Sequence, residues 1–174
     1  IKIEAIAEPS PIVAPKGEET NIDLRLDYRW IDLRTEKNTL MFKVQSCFVN
    51  LCREFLNKKD FIEIHSPKLI GAESESGAGV FKVDYFGRDA FLAQSPQFYK
   101  QMAMASGFER IFEVAPCFRA ENSNTNKHAT EFTSFDLEFS YINSFDDVMN
   151  LEAEMLTYAL GKLKETMGDK VKEV

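Results

Sequence analysis

Two neighbouring segments of the chain alternate between apolar and polar residues, and this alternation limits the fold more than any other feature. Residues 110–121, RIFEVAPCFRAE, place their apolar and polar side chains on opposite faces of a β-strand. Residues 132–141 repeat the alternation after a polar loop at about 122–131. We therefore predict an antiparallel hairpin with two unlike faces. The apolar face would contain Phe112, Val114, Pro116, Phe118, Phe135, Leu137, Phe139 and Tyr141.

The other face of this hairpin is charged and carries one aromatic ring. It would bring together Arg119, Glu121, Phe132, Asp136 and Glu138. One explanation is that a neighbouring element half covers this face and that the charges form ordinary ion pairs. The other is a pocket for an anionic, aromatic ligand such as a nucleotide, because a guanidinium fits phosphate oxygens and a phenyl ring stacks on a base.

Periodicity and turn residues predict the remaining elements. Helices are expected from Thr35 or Asn38 to about Lys58, from Ser95-Pro96 to Gly107, and from about Phe145 to Met167. Strands are expected at 1–7, 60–65, 80–86 and 90–94, the last two joined as a hairpin across 87–89. The loop GAESESGAG, residues 71–79, matches neither of the usual glycine-rich phosphate-binding patterns, so side chains would have to hold any phosphate.

The composition excludes several classes of protein. A chain of 174 residues that is 44% hydrophobic can bury one sizeable core, and no apolar run approaches the roughly 18 to 20 residues that span a bilayer. The net charge of −7 argues against broad, nonspecific binding of nucleic acid. Three cysteines indicate reduced thiols in an intracellular protein, and two histidines argue against structural zinc. The opening IKIEAIAEPS reads as the interior of a longer protein.

Four separated motifs resemble those of one known family and occur in that family's order. They are RLDYRWIDLR, the predicted helix and strand ending at Pro67, AQSPQFYKQ, and FRAE with the loop that leads into TEFTSFDLEF. Together they resemble the class II aminoacyl-tRNA synthetases, in particular the aspartyl enzymes of archaeal and eukaryotic type. The resemblance runs from about Arg25 to the end of the chain. It implies an α+β fold with a mixed, mainly antiparallel sheet flanked by helices.

The resemblance also implies how the chain is divided. Residues 1–22 would be the end of an anticodon-binding OB barrel and a hinge, and residues 23–174 the N-terminal part of the catalytic domain. Within that part, motif 1 would cover about 36–67, a flexible loop 71–80, and motif 2 about 110–139. Motif 1 forms the homodimer interface in the family, which assigns Pro67 to that interface.

Five residues of motif 2 match family positions that bind ATP: Arg119, Glu121, Lys127, His128 and Phe132. The resemblance gives Arg119 the catalytic role, because a fixed cation at the α-phosphate stabilises the charge that develops during attack. Glu121 would approach the adenosine, Phe132 would stack on the adenine, and Lys127 and His128 would reach the terminal phosphates. The alternative for His128 is a solvated loop histidine without a role in binding.

Six positions match family residues that contact aspartate: Ser74, Glu75, Gln97, Lys100, Arg119 and Asp136. Lys100 would face the side-chain carboxylate, and neutral asparagine would leave this desolvated ammonium unpaired. Ser74 and Glu75 belong to the loop that closes over the amino acid, and Asp136 helps to fix its ammonium group. From spacing alone, Lys100 would instead be a solvated lysine on a helix surface.

The resemblance therefore implies a cytoplasmic enzyme that uses ATP and Mg²⁺ to activate L-aspartate and transfers it to tRNA(Asp). Motif 3, the magnesium ligands and a second arginine that reads aspartate are expected beyond Val174, so no metal ligand is assigned here and these 174 residues alone should activate aspartate weakly or not at all. The alternatives are an asparaginyl-tRNA synthetase or an asparagine synthetase of the same branch, or a noncatalytic paralogue that dimerises or binds RNA.

Overall fold

The computed structural model describes residues 2–12, 20–74, 79–122, 125 and 127–173, and these form two compact units. Unit 1 comprises Ile1–Arg53 with Glu154–Val174, and unit 2 comprises Glu54–Ala153. All the residues described below as site residues belong to unit 2. Each unit is described separately.

Unit 1 is helical. It contains α1 (Ile22–Asp27), α2 (Arg29–Asp32), the first part of α3 (Glu36–Lys58), the last part of α5 (Phe145–Met167) and a 3₁₀ helix at Gly168–Glu173. The sequence did not predict α1 and α2. Asn21 caps α1 by accepting a hydrogen bond from the backbone of Asp23, and the fully buried Asp32 accepts hydrogen bonds from Arg25 and Arg29. These polar contacts stabilise helices that are too short to show an apolar period.

Unit 2 contains two three-stranded sheets with α4 (Gln97–Ala105). In the first sheet, β1 (Ile62–Glu63), β5 (Arg110–Phe118) and β6 (Glu131–Phe139) lie in that order. In the second, β2 (Leu69–Ile70), β4 (Arg88–Leu92) and β3 (Lys82–Tyr85) lie in that order. Among the strand pairs of the described residues, only β1–β5 is parallel. The expected α+β class with mainly antiparallel pairing is confirmed.

The β5–β6 hairpin has the two faces that alternation predicts. Glu113 lies opposite Asp136 and Cys117 lies opposite Phe132, and residues directly opposite in an antiparallel pair share a face. On the other face the rings of Phe112 and Phe135 stack with centroids 6.0 Å apart. β5 ends at Phe118, however, so Arg119 and Glu121 follow the strand. The prediction that the strand extends to residue 121 is therefore wrong.

Several predicted boundaries agree with the structure and others do not. The helices α3 and α5 lie where the periodicity predicts them. The strand at 60–65 is reduced to two residues, and residues 2–7 form no strand. The β3–β4 turn lies at Phe86-Gly87 and not at 87–89, because these two residues adopt the positive φ angles of a two-residue hairpin turn. Pro96, not Ser95, precedes α4, without a side-chain cap.

Candidate active site

Arg119 and Phe132 form the part of the charged face that could bind a nucleotide. The guanidinium carbon of Arg119 lies 5.4 Å from the centroid of the Phe132 ring, and both residues are half-buried. The backbone N–H of Arg119 donates to Thr130 O at 2.9 Å, which closes the hairpin one residue beyond the strands. A cation and a ring held together in this way can take a phosphate on one side and a planar base on the other.

Lys100 is the buried centre of an ion cluster. It lies on α4 and is only 5% exposed, and its Nζ lies 3.1 Å from Asp136 Oδ1 and 3.6 Å from Glu138 Oε2. Asp136 also accepts a hydrogen bond from the Ser134 hydroxyl. The explanation of Lys100 as a solvated surface lysine is therefore wrong, since the ammonium is withdrawn from water and paired.

This cluster contains more negative than positive charge. Two carboxylates, with side chains 24% and 30% exposed, share one ammonium. Such an arrangement favours a ligand that brings an ammonium group, because that group can take over one carboxylate while Lys100 turns to an anionic part of the ligand. An α-amino acid with an acidic side chain has both groups.

A second ion pair, with a buried carboxylate, lies on the same face. Glu113 is 1% exposed, and its carboxylate accepts hydrogen bonds from the Ser66 backbone N–H at 2.6 Å, the Ser66 hydroxyl at 2.7 Å and Lys68 Nζ at 3.0 Å. Lys68 also donates to the Ser66 hydroxyl at 2.8 Å. The segment after β1 is thus fixed to the middle of β5.

The Cys117 thiol is buried on the hairpin face that carries Glu113 and Asp136. Burial raises the pKa of this thiol, and the carboxylates of Asp136 and Glu113 raise it further, whereas Lys68 and Arg119 act in the opposite direction. The charges of Glu113 and Lys68 therefore act on the same part of the sheet as those of Arg119 and Asp136.

Ser74 and Gln94 hold each other in place. The backbone N–H of Ser74 donates to Gln94 Oε1 at 3.2 Å, and the Ser74 hydroxyl accepts from the backbone N–H groups of Gln94 and Ser95 at 3.2 and 3.3 Å. Gln94 is fully buried and Ser74 is 8% exposed. These bonds fix the start of the glycine-rich loop to the turn that leads into α4, which carries Lys100.

Gly79 fixes the other end of this loop beside Arg119. Its carbonyl oxygen accepts a hydrogen bond from Ala120 N at 2.9 Å. A Cβ atom at position 79 would lie 2.2 Å from the carbonyl oxygen of Ala120, which is backbone and cannot easily move. Only glycine allows the two backbones to approach this closely.

The remaining predicted residues differ in their surroundings. Glu121 and His128 lie close, with His128 Nε2 3.8 Å from Glu121 Oε2, and His128 Nδ1 is 2.6 Å from the Thr125 hydroxyl. Lys127 is exposed. Gln97 lies in the first turn of α4, one turn before Lys100.

Two further predicted residues are Pro67 and Glu75. Pro67, which the resemblance assigns to a homodimer interface, is exposed. Glu75 lies outside the residues that the structure describes.

Sequence reasoning assigned no role to Glu113, Lys68 or Gln94, although each is now seen to support the site. The alternation of residues 110–121 places Glu113 on the same face as Arg119, and this is the only signal that the sequence offers for it. The contacts of Lys68 and Gln94 join segments 20 or more residues apart, so spacing along the chain could not indicate them.

The described residues provide no group of three or more His, Cys, Asp or Glu side chains that could hold a metal ion. Within the same part of the chain, no helix has the length and apolar character of a membrane span. The three cysteines are free thiols.

Comparison with known proteins identifies the family. The model of the family described as tRNA synthetases class II (D, K and N) matches residues 21–173. The chain therefore belongs to the class II tRNA synthetases of this group. The expected family is thereby confirmed.

Three similar proteins are informative. The chain is 44% identical over 169 residues to an aspartate-tRNA(Asp) ligase of Picrophilus torridus, and this alignment covers 97% of this chain and 40% of the relative. It is 42% identical to the cytoplasmic aspartate-tRNA ligase of Caenorhabditis elegans, over 100% of this chain and 34% of the relative. A crystal structure of asparaginyl-tRNA synthetase from Pyrococcus horikoshii complexed with asparaginyl-adenylate superposes with a TM-score of 0.87 at 35% identity, covering 99% of this chain and 39% of that one. The chain thus spans 40% or less of the length of these proteins.

Proposed function

We propose that the chain is part of an aspartate-tRNA ligase, which activates L-aspartate with ATP to aspartyl-adenylate and transfers the aspartyl group to the 3′ end of tRNA(Asp). The observation that carries this proposal is the buried ammonium of Lys100 between Asp136 and Glu138, on the same hairpin face as Arg119 and Phe132. The 44% identity to an aspartate-tRNA(Asp) ligase supports it.

In the proposed reaction, Arg119 binds the α-phosphate of ATP and the α-carboxylate of aspartate as they react. The carboxylate attacks the α-phosphorus, pyrophosphate leaves, and the mixed anhydride remains. Negative charge grows on the α-phosphate oxygens during attack, so a fixed guanidinium there lowers the energy of the transition state more than that of the ground state. Phe132 stacks on the adenine while Glu121, Lys127 and His128 contact the adenosine and the outer phosphates.

Lys100 and Asp136 orient the amino acid. The substrate ammonium takes Asp136, and Lys100 turns from Asp136 to the substrate's side-chain carboxylate. Gln97, Ser74 and Glu75 complete the proposed contacts. Asparagine would not supply that carboxylate, so the buried ammonium of Lys100 would keep only its longer contact with Glu138, which disfavours asparagine.

The charge of the cluster also indicates what else the reaction needs. Lys100 with Asp136 and Glu138 carries a surplus of one negative charge, and aspartate brings one more. Arg119 offsets one of these charges. As the resemblance to the family implies, we also propose that a second cation, an arginine beyond Val174, reads the substrate carboxylate, and that the 174-residue chain alone activates aspartate poorly or not at all.

Further proposals follow from the family. Magnesium would accompany ATP, but the described residues do not fit a magnesium site. Residues 1–22 would close an OB barrel, residues 23–174 would begin the catalytic domain, and Pro67 would meet a second copy in a homodimer. We also propose a cytoplasmic location, in keeping with the free thiols.

Pyrophosphate exchange in the full-length protein that contains this chain tests the proposal. We expect exchange that depends on aspartate and is weak with asparagine. Exchange that depends on asparagine would instead establish an asparaginyl-tRNA synthetase, which the similarity to the P. horikoshii structure makes the second candidate. Formation of asparagine from aspartate and ammonia would identify a synthetase of asparagine. Exchange by the 174-residue chain at near full-length rates would contradict the need for a second cation.

A further inference from the structure

Lys68 is a half-buried cation that neither the family motifs nor the proposed mechanism uses. Its side chain is 21% exposed, and its ammonium contacts the carboxylate of Glu113, whose side chain is 2% exposed. A carboxylate buried to this degree is costly unless it is paired, and the pairing here is complete: two donors of Ser66 and one of Lys68.

The position of Glu113 makes its charge matter to the site. In the β5–β6 register Glu113 lies opposite Asp136, so the two carboxylates share one face of the hairpin. The face already has two carboxylates on the single ammonium of Lys100. An uncompensated Glu113 would add another negative charge where the proposed substrates, ATP and aspartate, are anionic.

The backbone of Lys68 is also tied to the strand that leads to Arg119. The Lys68 carbonyl accepts a hydrogen bond from Ala93 N at 2.9 Å, and the Ala93 carbonyl accepts one from Phe118 N at 3.0 Å. Lys68 is therefore linked to β5 twice, by its side chain at Glu113 and through Ala93 at Phe118. The backbone of Lys68 is thereby fixed close to β5, which keeps its ammonium within reach of Glu113.

We propose that Lys68 is a charge-compensating and positioning residue for this site: by neutralising Glu113 on the same sheet face, it allows Arg119 and Asp136 to meet anionic substrates. The inference rests on the proposed function. This role of Lys68 differs from a purely structural one in a single respect. If Lys68 compensates charge, removal of the cation and removal of the anion affect the binding of anionic substrates differently.

The test measures KM and kcat for ATP and aspartate by pyrophosphate exchange in the full-length protein. Lys68→Met, which keeps the length of the side chain, should raise both KM values about five-fold, because it leaves one uncompensated charge in a partly buried setting. Glu113→Gln should leave both KM values unchanged or lower. The double variant Lys68→Met/Glu113→Gln should return them to within about two-fold of the parent, since the pair is then neutral again.

Controls separate charge from folding. Lys82→Met removes an exposed lysine of comparable length whose partner Asp89 lies at 2.8 Å, and should change neither KM. Lys68→Arg keeps the charge and should stay near the parent. If Lys68→Met does not fold, as judged by circular dichroism, Glu113→Gln decides the matter: unchanged or lower KM values support the role of Lys68, and raised values overturn it.

Two results have distinct meanings. A parent without aspartate-dependent exchange would remove the proposed function. A parent with normal exchange in which both single variants raise KM alike, or lower kcat alone, would remove only the role of Lys68.

Discussion

Two ion clusters in this protein have mirror-image charges. In unit 1 one buried carboxylate, Asp32, lies between the guanidinium groups of Arg25 and Arg29. In unit 2 one buried ammonium, Lys100, lies between two carboxylates. Each central ion is almost inaccessible to solvent, and its partners are partly exposed.

The clusters differ in what they connect. The three residues of the Asp32 cluster lie within eight positions of each other and connect α1 to α2. The Lys100 cluster joins α4 to β6 across 36 residues, on the face that also presents Arg119 and Phe132. An ion cluster by itself therefore does not indicate a site. The partners that surround it, and the separation along the chain that it spans, do.

The largest expected effect concerns Arg119, the cation beside the second cluster. Arg119→Ala should cost about 3 kcal/mol or more in the free energy of activation for adenylate formation, because the charge on the α-phosphate would lose its fixed counterion. Pyrophosphate exchange in the full-length protein measures this loss. Arg88→Ala, which removes an exposed arginine from β4, is the matched control and should leave the rate unchanged. An unaltered rate in Arg119→Ala would rule out its proposed catalytic role.

Removal of the central ion of the first cluster should affect stability. Asp32→Ala leaves two neighbouring guanidinium groups without their carboxylate, and we expect the free energy of unfolding to fall by about 2 kcal/mol; a fully buried cluster would lose more, but these arginines are partly solvated. Urea unfolding measures the change. Asp27→Ala, at an exposed position of α1, should change it by less than about 0.5 kcal/mol. Equal losses in the two variants would show that Asp32 has no special role.

Removal of the central ion of the second cluster should affect selectivity. Lys100→Ala should lower the preference for aspartate over asparagine in kcat/KM by about ten-fold. The variant lacks the ammonium with which the side-chain carboxylate of aspartate, but not the amide of asparagine, would form an ion pair. Exchange assays with each amino acid give the ratio, and Lys43→Ala on the exposed side of α3 serves as the control. A variant as selective as the parent would mean that another residue reads the carboxylate.

The smallest effect is a pH dependence of the first cluster. The hydrogen bond from Arg25 and the charges of both arginines hold the pKa of Asp32 below its usual value, although burial acts against them. The stabilisation is therefore complete above the unfolded-state pKa of about 3.9 and is lost as the pH falls through the lower folded-state pKa. The difference in unfolding free energy between the parent and Asp32→Asn should shrink from pH 6 to pH 3. A constant difference would contradict this linkage.

The sequence predicted the hairpin and its two faces because strand alternation is a local pattern. Glu113 and Asp136 could be placed on one face in advance, and so could Phe132. The partners of Lys68 and Gln94 could not be predicted, since they depend on which segments pack together. The helices α1 and α2 were missed for a related reason: their stability comes from Asp32 and its arginines, and not from an apolar stripe.

Gly79 has a consequence for natural variation. Every side chain larger than hydrogen at this position would overlap the carbonyl oxygen of Ala120, next to the arginine on which the proposed chemistry depends. If all twenty amino acids were introduced at position 79 and cells were selected for growth on this gene alone, glycine should be the one residue that survives.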